Sequence, residues 1–194
     1  MPPLIREKNM SKTYRITAVA MMVAIMAIFA QIAIPIPISP VPLTLQTAGL
    51  IIAMVIFNWR ESSLAMLVYI LLGSVGVPVF SAGKAGLAVL AGPTGGYLYG
   101  FIAAALIGSS LLAHVRANTK HRLFKAYICV AFALAVMFCC GMLHFCLIMH
   151  VGLKEAFMLT ILPYLPLDIL KIAAFTPLAW KVKQSLHKQY PKIF

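Results

Sequence analysis

The chain has 194 residues, of which 62% are hydrophobic and only 10% are charged, and its formal net charge is +12. Soluble domains contain roughly 45–50% apolar and about 25% charged residues, so this composition excludes an ordinary soluble protein and indicates an integral membrane protein. The basic residues collect in tails and short loops between apolar segments and form no patch interleaved with aromatic residues, so we expect no nucleic-acid partner.

A bilayer-spanning helix needs about 20 apolar residues, and fewer where neighbouring helices bury it. Six segments fit this description, at residues 16–34, 43–58, 62–77, 95–113, 123–149 and 156–180. The second and third are short and are separated by only a few residues, which predicts a tight helical hairpin. We therefore predict an all-α membrane protein with six transmembrane helices in one bundle.

The basic residues give this bundle an orientation. Apart from Lys84, Lys154 and Lys171, every lysine and arginine lies in the two tails, in the turn between the second and third spans, or in or directly beside the loop after the fourth span. The positive-inside rule places these segments on the cytoplasmic side. The sequence thus predicts a basic cytoplasmic tail at 1–15, a transmembrane domain at 16–180 and a second basic cytoplasmic tail at 181–194.

The same orientation makes three segments extracytoplasmic, at 35–42, 77–94 and 150–155. The first contains four prolines in eight positions, which predicts a stiff, extended connection. The second is apolar and rich in glycine. Non-helical backbone at membrane depth is tolerated only where it is buried in protein or lines a cavity. We therefore expect the loop at 77–94 to line or cap a cavity.

The last span carries a polar and aromatic stripe. At 100° per residue, five side chains fall on one face of a helix: Thr160, Tyr164, Asp168, Lys171 and Phe175. Two prolines just before Asp168 should kink or restart the helix there. That places Asp168 in a first helical turn, where free amides and the helix dipole favour an anion.

A buried charge pair in this span suggests a binding site. An Asp or Lys at the centre of a membrane helix costs roughly 2.5–3.5 kcal/mol each on insertion scales. Asp168 and Lys171 could neutralise each other as a purely structural pair, but buried pairs rarely repay their desolvation. A carboxylate accepts hydrogen bonds and an ammonium donates them, so a complementary ligand carries N–H donors at one place and an anionic group at another.

Other sequence features argue against catalysis and ion coupling. No second buried acid is expected beside Asp168, which disfavours a proton-driven antiporter, although an ion-coupled secondary transporter of a small anionic solute stays an alternative. The chain lacks a nucleotide-binding P-loop, and its histidines are scattered, so we expect a binding protein and not an enzyme. The four cysteines share one apolar segment without carboxylates, so we expect helix packing and no metal site.

The first span contains small residues at a spacing that permits close helix contact. Ala20 and Ala24 form a small-xxx-small step. This step could serve packing within the bundle or contact with an external partner helix.

Three motifs carry a family resemblance: PVPLTLQTAG at 40–49, GVPVFSAGKAGLAVLAGPTGGYLYGF at 76–101 and PYLPLDILK at 163–171. In order and spacing they resemble the BioY family, the biotin-specific substrate-binding (S) components of energy-coupling factor transporters, and the six-span pattern extends this resemblance over essentially the whole chain. The resemblance implies a multi-pass protein of the prokaryotic cytoplasmic (inner) membrane. It also implies that biotin is bound from outside as a ligand, without a cofactor, and delivered inward together with a transmembrane coupling protein and two separate ATPase subunits.

The resemblance and the chemistry of biotin together assign the candidate site. Asp168 would accept from the ureido N–H groups, and Lys171 would meet the valerate carboxylate or hold Asp168 in place. Tyr164, from the stripe on the last span, is also expected to bind the ligand. The other expected ligand-binding residues are Phe80 and Tyr97 as walls, Thr44 and Gln46 as polar contacts, and Gly92, Gly95 and Gly96 as points of close backbone approach. Each loop residue could instead only shape the loop.

Two further assignments follow from the resemblance. Ala20 and Ala24 would contact the coupling protein. Lys84 has no place in the family pattern and could be either an exposed loop charge or a second partner for a carboxylate. An S component for a different vitamin with N–H donors and an acid is the nearest alternative function.

Overall fold

The structure is a computed structural model that describes residues 12–115 and 121–189. Its elements in chain order are α1 (Lys12–Gln31), β1 (Ala33–Ile36), β2 (Ser39–Thr44), α2 (Gln46–Ile56), α3 (Trp59–Ser74), α4 (Leu87–Ala91), α5 (Gly95–Ala113), α6 (Arg122–Met149), α7 (Leu153–Thr160) and α8 (Leu165–Gln189). Most of the predicted N-terminal tail, the end of the predicted C-terminal tail and most of the loop after the fourth span lie outside the described residues.

Apart from the short α4, which lies in the predicted loop at 77–94, the helices overlap the predicted apolar segments. Among the described residues, α1, α5 and α6 are long and apolar enough to cross a membrane, and the bent pair of α7 and α8 makes a fourth candidate span. α2 is apolar but short. The chain is thus a mostly helical, multi-pass membrane protein.

Helix α2 lies at the centre of the bundle. Nine of its eleven residues are buried, because α8, α5 and α1 all pack against it. It contacts α3, to which only two residues connect it, less than it contacts those three helices. The predicted tight hairpin is therefore a short connection between two helices that pack mainly on other partners.

The proline-rich segment is extended, as predicted, but it also folds back on itself. β1 and β2 form an antiparallel two-stranded sheet in which Ala33 pairs with Thr44 and Ile34 pairs with Leu43. Prolines are compatible with this sheet because a two-stranded sheet has only edge strands, where a missing N–H group leaves no inner ladder incomplete. The hairpin brings β2 to the start of α2.

The last predicted span is broken. α7 and α8 are joined by a short turn and are bent by 53° relative to each other. Pro163 lies in the turn and Pro166 in the first turn of α8, positions that the missing N–H group of proline allows. Asp168 lies in the first turn of α8, as predicted. The break sets the start of α8 beside β2 and α2.

Candidate ligand-binding site

A cavity opens at the end of the bundle where the β-hairpin, the segment at 80–94 and the turn between α7 and α8 meet. Its empty volume is about 720 Å³, including open solvent at the mouth. Seven of the predicted site residues line it: Thr44, Gln46, Phe80, Tyr97, Tyr164, Asp168 and Lys171. Of the three segments predicted to be extracytoplasmic, 35–42 and 77–94 contribute lining residues, whereas 150–155 contributes none.

A polar cluster occupies the buried side of the cavity. The Lys171 ammonium lies 2.8 Å from Asp168 Oδ1 and donates to the Thr44 carbonyl at 2.7 Å and to Thr47 Oγ1 at 2.9 Å. The Thr47 hydroxyl in turn donates to Asp168 Oδ1 at 2.9 Å. These bonds join α8 to the start of α2 and fix both charged side chains.

The two oxygens of the Asp168 carboxylate have different roles. Both protein hydrogen bonds fall on Oδ1. Oδ2 has no hydrogen-bond partner within 12–115 and 121–189, and it is not among the fully enclosed atoms that lack one. Because Asp168 lines the cavity, Oδ2 is an acceptor available to a ligand.

Lys171, by contrast, is saturated. An ammonium group has three N–H donors, and Lys171 has three protein acceptors at 2.7–2.9 Å. Of the two roles expected for Lys171, the geometry therefore favours holding Asp168 over meeting a ligand carboxylate.

Gln46 connects the hairpin to the loop that carries Phe80. Its Oε1 accepts from Thr44 Oγ1 at 3.0 Å, and its Nε2 donates to the Tyr69 hydroxyl at 2.7 Å. The Tyr69 hydroxyl then donates to the carbonyl of Val79 at 2.8 Å. Gln46 thus lines the cavity, but its side-chain amide is hydrogen-bonded to protein. Its role is to position the loop that carries Phe80.

Phe80 is held from two sides. Its ring, which is only 1% exposed, packs edge-on against Tyr69 with centroids 5.7 Å apart. It also covers Gly73 of α3, where an added Cβ would lie 2.2 Å from the ring. A larger residue at position 73 would displace Phe80, so this glycine shapes the cavity from outside it.

Two tyrosines tie the turn between α7 and α8 to the rest of the site. The Tyr97 hydroxyl donates to the Thr160 carbonyl at 3.1 Å, and the Tyr164 hydroxyl donates to the Val41 carbonyl. Their rings remain in the cavity wall, together with Phe101, where they present apolar surface. Both tyrosines therefore line the cavity, and each is anchored through its polar end.

The predicted glycines have a different environment from the one expected. Gly92, Gly95 and Gly96 are not among the residues that line the cavity. A Cβ at Gly96 would lie 2.3 Å from His144 Cβ, and one at Gly95 would lie 1.8 Å from the Leu90 carbonyl oxygen. The small size of Gly95 and Gly96 permits close packing of α5 on α4 and on α6, so helix packing accounts for these two without close approach to a ligand.

Sequence reasoning missed Thr47, which bonds to both members of the charge pair. It lies within the PVPLTLQTAG motif at 40–49, one residue after Gln46. Its position in the first turn of α2 gives no sequence signal that it faces Asp168, because that contact joins residues 121 positions apart. Only the packing of α2 against α8 reveals it.

The sequence also missed a second buried acid. Glu61 of α3 is 4% exposed, contrary to the expectation that Asp168 is the only buried acid. Its Oε1 lies 2.8 Å from Nε of Arg15 in α1, and its Oε2 is enclosed without a partner among the described residues. Glu61 does not line the cavity. The proximity of α1 to α3 explains its burial.

The remaining predicted features lie away from the cavity. Ala20 and Ala24 are exposed on α1, whereas their neighbours Val19, Met22 and Val23 are buried. The cysteines are unpaired, and the described part of the chain contains no cluster of histidine, cysteine and acidic residues suited to a metal ion.

The sequence and fold can be compared with those of known proteins. The model of the BioY family matches residues 6–188. The chain is 34% identical to the biotin transporter BioY2 of Lactococcus lactis subsp. cremoris, over 86% of this chain and 88% of that protein. It is 33% identical to the probable biotin transporter BioY of Pyrococcus horikoshii, over 89% of this chain and 98% of that protein.

The fold also matches a solved structure, the S-component for biotin from an ECF-type ABC transporter. The TM-score is 0.82 at 23% identity, over 89% of this chain and 92% of that one. At 23% identity this likeness supports the fold alone. The match to the family model supports membership of the family. The protein belongs to the BioY family.

Proposed function

We propose that this protein is a high-affinity, membrane-embedded biotin-binding subunit. It takes biotin from outside the cell and delivers it inward together with an ATP-driven coupling complex. Membership of the BioY family and relatives named as biotin transporters support this function. A transport subunit of this kind is not an enzyme, and ATP hydrolysis belongs to separate partner ATPases.

The observation that carries the proposal is the asymmetric carboxylate of Asp168. Lys171 and Thr47 hold Oδ1, and Oδ2 is left available at the cavity. Biotin has two ureido N–H donors on a compact ring, and an oriented carboxylate is a strong acceptor for such donors. Asp168 therefore accepts from the ureido group, and Lys171 with Thr47 holds the carboxylate in place.

The rest of the cavity suits the apolar part of biotin. Phe80, Phe101, Tyr97 and Tyr164 supply aromatic and apolar surface around the polar cluster. Binding sites for small molecules are typically apolar, with a few precisely placed polar groups that fix orientation. The thiolane ring and the valerate methylenes pack against these walls, while Thr44 and Gln46 hold the hairpin and the loop in register.

The membrane arrangement that fits this function has six crossings. α2 and α3 make the second and third crossings despite their length, because neighbouring helices bury α2. The cavity faces outward, and the basic tails at 1–15 and 181–194 flank the substrate-binding domain at 16–180 on the cytoplasmic side of the prokaryotic inner membrane. A membrane-impermeant thiol reagent tests this arrangement: in a variant without native cysteines, Lys84→Cys should react from outside and His187→Cys should not.

The coupling surface lies on α1. Ala20 and Ala24 are exposed small residues in a helix whose other face is buried, so a partner helix can approach closely there. We assign this face to a transmembrane coupling protein that carries two ATPases, with lipid around the remaining apolar surface. Ala24→Trp should abolish ATP-dependent uptake and leave biotin binding intact. Loss of both would instead place Ala24 in the packing of the bundle.

Calorimetry of the purified protein tests the function directly. Biotin should bind tightly, and desthiobiotin, which keeps the ureido and carboxylate groups, should bind more weakly through lost apolar contact. A biotin analogue alkylated on the ureido nitrogens should lose most of its affinity, because Asp168 Oδ2 no longer receives an N–H group. Tight binding of another vitamin in place of biotin would refute the proposal.

A further inference from the structure

The polar cluster is neutral, but the cavity lining as a whole is not. Asp168 and Lys171 neutralise each other at 2.8 Å. Of the residues that line the cavity, the only other one with a formal charge is Lys84, so the lining described by the structure has a net charge of +1. A monoanion is the complementary ligand charge.

Lys171 is not free to pair with such a monoanion. Its three donors are used by Thr44, Thr47 and Asp168, so a ligand carboxylate would have to displace one of them. Lys84 has no such competition, since its ammonium has no hydrogen-bond or ion-pair partner among the described residues. Among the residues that the structure describes, Lys84 is therefore the free cation of the site.

The backbone around Lys84 is well fixed although its side chain is not. The Phe80 amide donates to the Lys84 carbonyl at 3.0 Å, and the Lys84 amide donates to the Ser81 carbonyl at 3.3 Å. The turn passes through Ala82 and Gly83, which both have positive φ values, 56° and 72°. Buried Phe80 anchors one end of this turn, and exposed Lys84 stands at the other.

The charged groups of the cavity lie at two different depths. Asp168 and Lys171 are buried, whereas Lys84 is exposed and still lines the cavity. A ligand that reaches Asp168 with its N–H donors and has a flexible acidic chain would carry that acid toward the mouth. The flexible lysine side chain can follow the carboxylate over several ångströms.

We infer that Lys84 is a specificity-determining residue of this site: its ammonium pairs with the carboxylate of the ligand and selects free biotin over neutral biotin amides and esters. This inference rests on the proposed function and adds the orientation of the ligand, with the ureido ring on Asp168 and the valerate carboxylate at the mouth. It also assigns to Lys84 the role that Lys171 cannot fill while it holds Asp168.

The test compares biotin with biotinamide, its neutral amide, on the purified full-length protein. Lys84→Met removes the charge at similar length and should weaken biotin binding about three- to tenfold, the range for one partly exposed ion pair. Biotinamide binding should stay unchanged in that variant. Lys84→Arg should keep most of the preference for biotin, and added salt should weaken biotin binding less in Lys84→Met than in the unaltered protein.

Lys154→Met is the matched control, because Lys154 is also exposed but does not line the cavity. It should leave both affinities unchanged. Unaltered biotinamide binding by Lys84→Met would also show that the variant is folded. If Lys84→Met keeps the preference for biotin over biotinamide, or lowers both affinities equally, the inference is wrong while the proposed function stands. If the unaltered protein binds neither ligand, the proposed function fails and the inference fails with it.

Discussion

Two buried carboxylates in this protein have nearly the same surroundings by simple measures. Asp168 and Glu61 are each 4% exposed, and each lies 2.8 Å from a basic nitrogen. They differ in their second oxygen. Oδ2 of Asp168 is available at a cavity, whereas Oε2 of Glu61 is enclosed by protein with no partner among the described residues. Burial and pairing alone therefore do not identify a binding site.

The partners of the two acids explain the difference. Lys171 comes from the same helix as Asp168 and is held by α2, so the pair presents a fixed acceptor to the cavity. Arg15 reaches Glu61 from another helix, with 37% of its side chain exposed. That pair fastens α1 to α3. The first arrangement leaves an unpaired oxygen at a cavity, and the second leaves one enclosed between the helices that the pair holds together.

Replacing Asp168 with Asn should have the largest effect. The amide keeps the shape but removes the charge and turns part of an acceptor into a donor that faces the ureido N–H groups. Biotin binding should weaken by about 3 kcal/mol, within the range for breaking one buried charged interaction. Calorimetry measures this directly. An unchanged dissociation constant would remove Asp168 from the site and with it the contrast to Glu61.

Replacing Lys171 with Met should weaken binding by about 2 kcal/mol, because Asp168 loses its main partner and its fixed orientation. Since Lys171 donates only to protein, biotin and biotinamide should be affected equally. Titration of both ligands checks this. A selective loss of biotin affinity would show that Lys171 meets the ligand carboxylate after all.

Replacing Glu61 with Gln should destabilise the protein by about 1 kcal/mol, a moderate effect since the exposed part of Arg15 is screened by solvent. Biotin affinity should not change, because Glu61 does not line the cavity. Thermal unfolding in detergent and calorimetry together measure the two effects, and Arg15→Met is the matched variant. If folded Glu61→Gln bound biotin more weakly, the conclusion that Asp168 serves binding and Glu61 serves only stability would be wrong.

Replacing Tyr69 with Phe should have the smallest effect on binding, at most about 1 kcal/mol. The change removes the hydroxyl that joins Gln46 to the Val79 carbonyl and leaves the ring that supports Phe80. The substitution should therefore only loosen the loop that carries Phe80. A faster dissociation of biotin, with little change in thermal stability, is the expected signature. A loss as large as that of Asp168→Asn would mean that Gln46 contacts the ligand itself.

Much of the architecture could be predicted from local sequence. Hydropathy located the helical segments, proline density identified the extended segment at 35–42, and prolines marked the start of the helix that bears Asp168. Each of these is a property of a few neighbouring residues. The pairing of β1 with β2 and the distribution of contacts around α2 were not predictable in this way, because they depend on which segments become neighbours in the folded chain.

The features of the site likewise separate into those set by local sequence and those set by contacts between distant segments. The sequence alone determined that Asp168 and Lys171 share a helix face in an apolar span, and that such a pair suits a ligand with N–H donors and an acid. The tertiary structure decided that Thr47 completes the cluster, that Lys171 has no donor to spare and that Gly96 packs against His144. It also distinguished Asp168 from Glu61. Helix periodicity fixes which residues share a face, but only packing between distant segments fixes whether a polar atom meets protein or an open cavity.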